Sequence, residues 1–410
     1  MLLVPTETLR EGMMIAQPVL HPERDDLVLL NEGFNLDLKT ISHLHGFNIK
    51  HVWVSFPGLE ELDVGSDPGV AMGHMDLLRV LSRSVDEMEK RVSVKVNLVH
   101  YRRAVHHMLG QIVASPEHHP VTHQLAACGP TLAGHLANCS YLALLIGAHL
   151  SGYLRNQRRS LPADLAENTA QLGLGALLHD IGKVSMPDEL QGKHILDPES
   201  SWREYQQHVE TGYREVRENV SPVAANIVLH HHQRFDGQGF PGKSAAAIGG
   251  LPMGPRGLDG QRIHVFARIV AVADVFDHLL NRRGLTPRPA VMAIHEIKQE
   301  RFKGWFDPVI VEALLRLIPP FMVGSIVTLS DGNEAAVVAN HPEAPCRPTV
   351  RILSKPVGEA GAKASRQLDL RMCRNIGIAA VEGEDVRHCL YSGDFESTAM
   401  NGFGAAFDAA

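Results

Sequence analysis

Several kinds of residue and pattern are scarce in this sequence. Its 410 residues include five cysteines, an odd number, and no two of them have Cys-x-x-Cys spacing. This argues against both a disulfide framework and a thiolate zinc site, and it fits reduced thiols. Basic residues are not in excess either, because 39 lysines and arginines face 46 acidic residues, which gives a net charge of −7. A general nucleic-acid binder normally carries a basic face, so that function class is disfavoured.

Long apolar runs are also missing. The most apolar stretch, residues 141–153, is interrupted by His149 and Ser151, and it is shorter than the roughly 20 residues of a membrane-spanning helix. The first residues, MLLVPTETLREGMM, contain an early acidic residue and no apolar run, so we expect no signal peptide. Together with the reduced thiols, these features predict a cytoplasmic protein without membrane insertion.

The apolar pattern divides the chain into parts. Residues 1–60 mix short strand and helix patterns, which predicts an αβ accessory domain, and residues 61–128 read as a linker followed by a helical connector. Residues 129–320 are nearly all helical in pattern, residues 321–398 show short strands between turns, and residues 399–410 are expected to be disordered. The predicted fold class is mainly α, with a small αβ domain before the helical bundle and a short β extension after it.

The individual elements follow from the same patterns. The first part is predicted to contain strands at 27–30 and 49–54 and a helix at 36–45, and the connector is predicted to be helical over 75–113. The predicted helices of the central part span 132–154, 163–178, 202–217, 223–232, 263–280, 290–302 and 308–317. The predicted strands of the last part span 325–329, 334–339, 349–353 and 376–381.

Histidine is abundant, with 24 residues in the chain, and imidazole is the commonest metal ligand and general acid or base. The clearest local signal is LLHDIGK, which ends an apolar helix pattern with His179 and Asp180. On a helix these neighbours point about 100° apart, so they can approach a metal from two directions, and the carboxylate can bridge two ions. Lys183 lies one turn further on and could bind a phosphate oxygen.

Further candidate ligands occur in the same helical region. Asp274 lies in the apolar pattern VFARIVAVADVFDHLL, where a carboxylate is costly to bury unless it is paired or bound to a metal. Asp277, one turn on, fits a structural carboxylate better. The remaining candidates are histidines in the same region: His135, His208, His231 and His232. Imidazoles and carboxylates without thiolates suit iron, manganese, zinc or nickel. Two such ions about 3.5–4 Å apart support hydrolysis of phosphate esters by an activated hydroxide.

At these residues the sequence resembles the HD-GYP family, the cyclic di-GMP phosphodiesterase branch of the HD phosphohydrolase superfamily. The motifs that carry the resemblance are HDIGK (179–183), MPD (186–188), His208 with Gly212, HHQRFDGQGFP (231–241), ADVFD (273–277), Arg283 and FDP (306–308). They are ordered and independently spaced over residues 129–318. Residues 1–60 and the β-rich part resemble the accessory domain and the β extension of some members.

The resemblance implies a helical HD-domain bundle that binds metal through seven residues: His135, His179, Asp180, His208, His231, His232 and Asp274. It implies hydrolysis of cyclic di-GMP to pGpG, GMP or both, with Asp180 bridging two ions. Lys183 and Arg283 would neutralise phosphate, and the Phe240 ring would stack on substrate, although Arg282 could replace Arg283 and Phe240 could serve loop packing alone. Iron or manganese is favoured, and zinc or nickel is left open.

The sequence departs from the family pattern at four positions. Gln233 replaces a glutamate, Phe240 replaces the tyrosine of the family name, and Thr286 replaces a lysine of some members. Thr131 stands where members with a third metal carry glutamate, so two metals are expected. These departures motivate an alternative in which the protein binds cyclic di-GMP, turns it over poorly and acts through a signalling partner. A further alternative is an HD hydrolase of another nucleotide, and a homodimer is left open.

Overall fold

The structure is a computed structural model, and it describes residues 1–21, 27–47, 49–60, 62, 68–89, 98–114, 125, 131–197, 202–242, 257–282, 287–355, 357, 359 and 361–392. The predicted substrate contact Arg283, the replaced position Thr286, most of the predicted linker and the tail 399–410 lie outside the described residues.

The stretch of chain that spans the predicted connector and the predicted central part is helical, as predicted. In chain order its helices are α2 (Pro68–Glu89), α3 (Leu98–Ala114), α4 (Leu132–His149), α5 (Ser151–Gln157), α6 (Ala163–Glu167), α7 (Ala170–Leu178), α8 (Asp188–Gln191), α9 (Arg203–Gln206), α10 (His208–Val216), α11 (Pro222–His230), α12 (Val265–Leu280), α13 (Ala290–Ile297) and α14 (Pro308–Leu317). The predicted mainly α fold class is confirmed.

One apolar core holds these helices together, with α4, α7 and α12 at its centre. These three helices are buried along almost their whole length, which is why their sequences are apolar on all sides and show little amphipathic alternation. No helix in the described parts of the chain is both long and apolar enough to cross a membrane.

Several predicted helices are broken in the structure, and these boundaries were wrong. The predicted helix 132–154 divides at Leu150, and the helix 290–302 ends at Ile297 before a separate 3₁₀ turn. The helix 163–178 divides at Asn168, which is extended, and its side chain accepts a hydrogen bond from the Ala170 backbone N–H at 3.0 Å. Asparagine competes for backbone donors in this way, so it starts a new helix more easily than it continues one. The helix 202–217 divides at Gln207.

The amino-terminal part contains the predicted elements as β3 (Val28–Leu30), α1 (Leu38–Gly46) and β4 (His51–Val54). Asp37 caps α1, because its carboxylate accepts a hydrogen bond from the Thr40 backbone N–H at 2.7 Å. Two strands were not predicted, β1 (Leu2–Pro5) and β2 (Val19–Leu20). β1 pairs antiparallel with β4, and its consecutive buried residues lack the alternation by which a strand is recognised.

The carboxyl-terminal part forms an antiparallel sheet with strand order β10-β9-β5-β6-β7-β8. Its strands are β5 (Ile326–Leu329), β6 (Glu334–Ala339), β7 (Thr349–Leu353), β8 (Ala364–Asp369), β9 (Ile378–Val381) and β10 (Glu384–Asp385). The edge strand β8 was not predicted, because its sequence ASRQLD is mostly exposed and has no apolar face.

The amino-terminal part packs against this sheet. Its apolar residues share one core with Ala336 and Leu353. The Leu3 backbone N–H donates to the Gly324 carbonyl at 2.9 Å, and the Ala364 N–H donates to the Pro57 carbonyl at 2.8 Å. The two ends of the described chain therefore form one β-rich body beside the helical domain.

A buried ion pair ties α14 to α12. The Arg268 guanidinium donates to the Asp307 carboxylate, which also accepts from the Tyr153 hydroxyl at 2.7 Å. Arg268 and Asp307 are 4% and 2% exposed. Asp307 also caps α14 through the Val309 backbone N–H at 3.1 Å, so the aspartate of the FDP motif has a structural role here.

We expect Asp307→Ala to lower the free energy of unfolding by about 3–5 kcal/mol, because it leaves the Arg268 charge buried without its partner. Chemical denaturation monitored by circular dichroism measures the change. The double variant Arg268→Met, Asp307→Leu should recover most of the loss, since well-packed apolar residues can replace a buried pair. Glu300→Ala is the matched control, because its pair with Lys303 is exposed and should contribute nothing measurable. Equal stability of Asp307→Ala and the control would contradict the prediction.

Candidate metal centre

The seven predicted ligands meet in one buried cluster although they come from separate segments. Donor atoms of His135, His179 and Asp274 lie within 4.8 Å of one another together with Cys139, and those of Asp180, His208, His231 and His232 form a second such group. His135 lies in the first turn of α4 and Asp274 lies in the middle of α12. The other five lie at helix ends, where side chains can turn inward: beside α7, at the start of α10 and after α11.

Two glycines of the motifs bring these segments together. A Cβ on Gly182 would lie 2.1 Å from the His208 carbonyl oxygen and 2.7 Å from the Gly212 backbone nitrogen. Only a residue without a side chain permits such a close approach. The glycines of HDIGK and of the His208–Gly212 motif therefore allow α10 to lie against the turn after Asp180.

Three histidines are held by the same backbone contact. Nδ1 of His179, His208 and His231 lies 2.7, 2.6 and 3.0 Å from the carbonyl oxygen three residues earlier, respectively. A carbonyl oxygen can only accept, so Nδ1 carries the proton and the Nε2 lone pair is free to bind a metal. Burial also lowers the pKa of His179 to about 3 and lowers the pKa of His208, which keeps both imidazoles neutral, as metal ligation requires.

The centre contains buried polar atoms without hydrogen-bond partners among the described residues. They are Oδ1 of Asp180, Oδ2 of Asp274, and Nε2 of His179, His208, His231 and His232. Buried polar atoms are nearly always satisfied by a partner, and buried carboxylates are costly unless they are paired or bind a metal. Each of these atoms offers a lone pair, and their residues belong to the two donor groups, so the arrangement fits bound cations.

Asp180 faces both donor groups. Its Oδ1 lies 3.2 Å from Nε2 of His208 and 3.5 Å from Nε2 of His231, and its Oδ2 lies 3.7 and 3.6 Å from Nε2 of His135 and His179. Although burial alone would raise it, Lys183 and the neighbouring histidines hold the pKa of Asp180 well below its ordinary value. The carboxylate is therefore ionised, with one oxygen towards each group.

Two residues that were not predicted as ligands orient the ligands. Asp277 accepts a hydrogen bond from Nδ1 of His135 at 2.7 Å, and so directs Nε2 of that ring to the centre. His194 was missed by sequence reasoning, because KHILDP shows no spacing that links it to the motifs. The Leu196 backbone N–H donates to Nδ1 of His194 at 3.4 Å, so Nε2 carries the proton and donates to Oδ1 of Asp274 at 2.8 Å.

Lys183, the predicted phosphate contact, is buried beside the centre. Its ammonium lies 2.5 Å from Oδ2 of Asp180 and 5.4 Å from the centre of the Tyr205 ring. The lysine thus places one positive charge at the edge of the donor groups, where an anionic ligand of the centre would meet it.

Three residues that depart from the family pattern, Phe240, Gln233 and Thr131, make structural contacts. The Phe240 ring is 8% exposed and packs 4.7 Å from the His232 ring. The Gln233 amide donates to the Pro241 carbonyl at 2.7 Å, so it closes the loop without an ion pair. Thr131 caps α4 by accepting from the Gly134 backbone N–H at 3.1 Å, which shows a helix-capping role where third-metal members carry glutamate.

A cavity of about 500 Å³ is lined by none of the seven predicted ligands, and side-chain contacts through His278 connect it to the centre. His278 forms part of its wall and stacks on His194 with ring centroids 3.6 Å apart, and His194 in turn contacts Asp274. Three cationic residues (Lys193, Arg282, Arg301) and three acidic residues (Glu189, Asp197, Glu296) line the cavity. Arg282, the alternative to Arg283, lies there with its guanidinium 2.9 Å from Glu296.

Comparison with known protein families finds two matches along the chain. Residues 132–279 match the family described as HD domain, and residues 326–387 match the family described as KOW domain associated with HD domain. The chain therefore carries an HD domain, and the resemblance to the HD-GYP type of phosphodiesterase is confirmed.

Several curated relatives are phosphodiesterases of cyclic dinucleotides. A cyclic di-GMP phosphodiesterase of Pseudomonas aeruginosa is 30% identical over 190 residues, which are 44% of this chain and 41% of the relative. One from Thermotoga maritima is 37% identical over 152 residues, 36% of this chain and 37% of the relative. The 3'3'-cGAMP-specific phosphodiesterase 2 of Vibrio cholerae is 30% identical over 171 residues, 41% of this chain and 28% of the relative. The chain thus spans less than half the length of these relatives.

Among solved structures, Bd1817, an HDG"Y"P protein from Bdellovibrio bacteriovorus, matches 76% of this chain and 97% of its own. The TM-score is 0.42 and the identity 16%, a likeness too distant to support an argument about function.

The contact between His194 and Asp274 yields a prediction. His194→Phe keeps a ring that can stack on His278 but cannot donate to Asp274, so we expect metal affinity to fall by about 10–100-fold, the range for partners that orient a ligand. Titration of the metal-free protein with manganese or zinc, followed by calorimetry, measures the change. The control is His45→Phe, at an exposed position of α1. If the metal affinity of His194→Phe equals that of His45→Phe, the hydrogen bond from His194 to Asp274 does not contribute to metal binding.

Proposed function

We propose, from the HD domain that this chain carries, that the protein is a metal-dependent phosphodiesterase that hydrolyses cyclic di-GMP to pGpG, GMP or both. The observation that carries the proposal is the buried cluster of imidazole and carboxylate atoms, divided into two groups with Asp180 between them. The relatives support cyclic dinucleotides as the substrate class, and those named for cyclic di-GMP support the guanine dinucleotide.

Two divalent ions fit this arrangement, one for each donor group. His135, His179 and Asp274 would hold one, and His208, His231 and His232 would hold the other, with Asp180 contacting both through its two oxygens. Nitrogen and oxygen donors of this kind suit iron or manganese, and also zinc or nickel. Bound ions would supply an activated water as nucleophile and neutralise charge on the phosphate.

The protein's own side chains would position the substrate. Lys183 would donate to a non-bridging phosphate oxygen, and it is already held at the centre by Asp180 and the Tyr205 ring. The volume of the cavity beside His278 falls within the usual range for ligand pockets. Its arginines could donate to guanine O6 and N7, and its carboxylates could accept from the guanine amino group, so both kinds of partner that guanine needs are present. Arg283 remains a predicted phosphate contact.

The alternative is a protein that binds cyclic di-GMP with little turnover and acts through a partner. The observation in its favour is Phe240, which is packed against His232 and has no hydroxyl to offer a substrate. The signalling partner, a homodimer and the cytoplasmic location remain predictions.

Incubation of the metal-loaded protein with cyclic di-GMP tests the proposal, with 3'3'-cGAMP and cyclic di-AMP as competing substrates and product separation by chromatography. We expect pGpG or GMP to form, and we expect the double variant His179→Ala, Asp180→Ala to form none, because it removes ligands from both groups. Tight binding without product would favour the effector. Faster hydrolysis of 3'3'-cGAMP or cyclic di-AMP would support a phosphodiesterase, with that dinucleotide as its substrate.

The role of Lys183 has its own prediction. Lys183→Met should lower kcat/KM by about 10–100-fold while two metals per chain are retained, because a charge-assisted hydrogen bond of roughly 1.5–3 kcal/mol to phosphate is lost. Steady-state kinetics and elemental analysis on the same preparation measure both quantities. Lys303→Met, at an exposed lysine, is the control. If Lys183→Met loses bound metal and activity to the same extent, the role of Lys183 is instead to hold Asp180 in position as a metal ligand.

A further inference from the structure

The apolar stripe of helix α2 contains a histidine. The buried apolar residues of this helix are Val70, Leu77, Leu81 and Val85, and they belong to the same core as α4 and α12. His74 lies in their stripe, four residues after Val70 and three before Leu77, and it is 1% exposed. An apolar side chain would pack there without the cost of burying a polar ring, so the histidine indicates a polar contact within the core.

That contact is the first of three hydrogen bonds that cross the core to a metal ligand. Nε2 of His74 lies 3.0 Å from Oδ1 of Asn138 in α4. The Asn138 amide nitrogen donates to Oδ1 of Asp277 in α12 at 2.7 Å. Oδ2 of Asp277 accepts from Nδ1 of His135 at 2.7 Å. Helix α2 is thus joined to the ligand His135 through Asn138 and Asp277, which are both buried.

The directions of these hydrogen bonds follow from the groups that can only accept. One end of the Asn138 amide faces the Leu125 carbonyl oxygen at 2.9 Å and the Asp277 carboxylate at 2.7 Å. Both contacts therefore use the NH₂ group of Asn138, because neither partner can donate. Oδ1 of Asn138 is left facing His74, so Nε2 of His74 carries the proton and donates. The opposite orientation of the amide would place its oxygen against two acceptors.

We propose that His74 is a positioning residue of the metal centre, through which helix α2 holds the ligand His135 in its orientation. This inference rests on the proposed function, because it concerns the regulation of the same centre. His74 acts through Asn138 and Asp277, not by contact with an ion.

The position of Asp277 explains why the contact would affect the ligand. Its Oδ1 accepts from Asn138 and from the Asn281 amide at 2.8 Å, and these two donors direct Oδ2 to His135. A shift of α2 that withdraws His74 would leave the Asn138 oxygen buried without its donor, which is unfavourable. Asn138 would then move with His74, and its hold on Asp277 would weaken.

The place of α2 in the chain gives this contact a regulatory meaning. In the described chain, α2 is the first helix after the amino-terminal part. A signal received by that part would therefore reach α2 first. The hydrogen bonds from His74 would carry the resulting shift to one of the two metal positions.

Metal titration of the full-length protein, prepared without metal, tests the inference. We expect His74→Phe, which fills the site but cannot donate, to weaken the binding of one of two manganese ions by about 10-fold, the lower end of the range for residues that orient a ligand. His74→Gln should keep wild-type affinity, because its amide nitrogen can donate to Asn138. The control is His107→Phe in α3, since His107 contacts Asp76 of α2 at 2.8 Å outside the metal centre.

A double variant separates positioning from a merely structural role. If His74 acts through Asn138, the variant His74→Phe, Asn138→Leu should lose no more affinity than Asn138→Leu alone, whereas independent effects would add. Wild-type affinity in His74→Phe, an equal loss in His74→Gln, or additive losses in the double variant would each overturn the role of His74 and leave the metal centre intact. Failure of the wild-type protein to bind any metal would overturn both the inference and the proposed function.

Nuclear magnetic resonance of the wild-type protein, labelled with nitrogen-15 at histidine, still decides if His74→Phe does not fold. Hydrogen bonds in a chain polarise one another, so we expect zinc binding to shift the Nε2–H signal of His74 and to leave the ring signals of His107 unchanged. His74→Gln and His107→Phe identify the two sets of signals by their loss. A His74 signal that does not respond to bound zinc would overturn the inference.

Discussion

The structure depends on one constraint, the burial of two carboxylates among the imidazoles of the metal centre. Asp180 and Asp274 are both fully buried, and without a cation such groups are among the most costly that a core can contain. The apolar helices α4, α7 and α12 meet this constraint by forming a rigid frame in which the side chains cannot turn away to solvent. A cation bound only by the folded frame would add its binding free energy to the stability of the domain. Ligation would in this sense be coupled to folding.

Much of the centre could be predicted from the sequence because most of its residues occur in short, recognisable motifs. Neighbouring residues such as His179 and Asp180 keep their mutual direction through local geometry, whatever the tertiary contacts are. An acidic residue inside an apolar helix, such as Asp274, is equally informative, because burial makes its position costly. The sequence also predicted the mainly α class, since most elements are long enough for their periodicity to be read.

Other parts depend on contacts that no local pattern records. His194 reaches Asp274 across 80 positions of sequence, and the tautomer that makes it a donor is set by a backbone N–H nearby. The division of the helix at Asn168 follows from a side chain that competes with the backbone, and residue statistics show this only as a weak preference. The strand β8 has no buried face to reveal it. In each case the feature depends on a contact with another group, which the local sequence pattern does not record.

The packing of the amino-terminal part against the carboxyl-terminal sheet has a consequence for the architecture. The helical domain is, in topological terms, an insertion between two halves of one body, because the chain leaves the β-rich body after residue 62 and returns to it near Phe321. An inserted domain is tethered at both of its ends, so rigid rotation of the host would act on α2 and α14 together. The shared core of the β-rich body thus links α2 and α14, although these two helices are far apart in sequence.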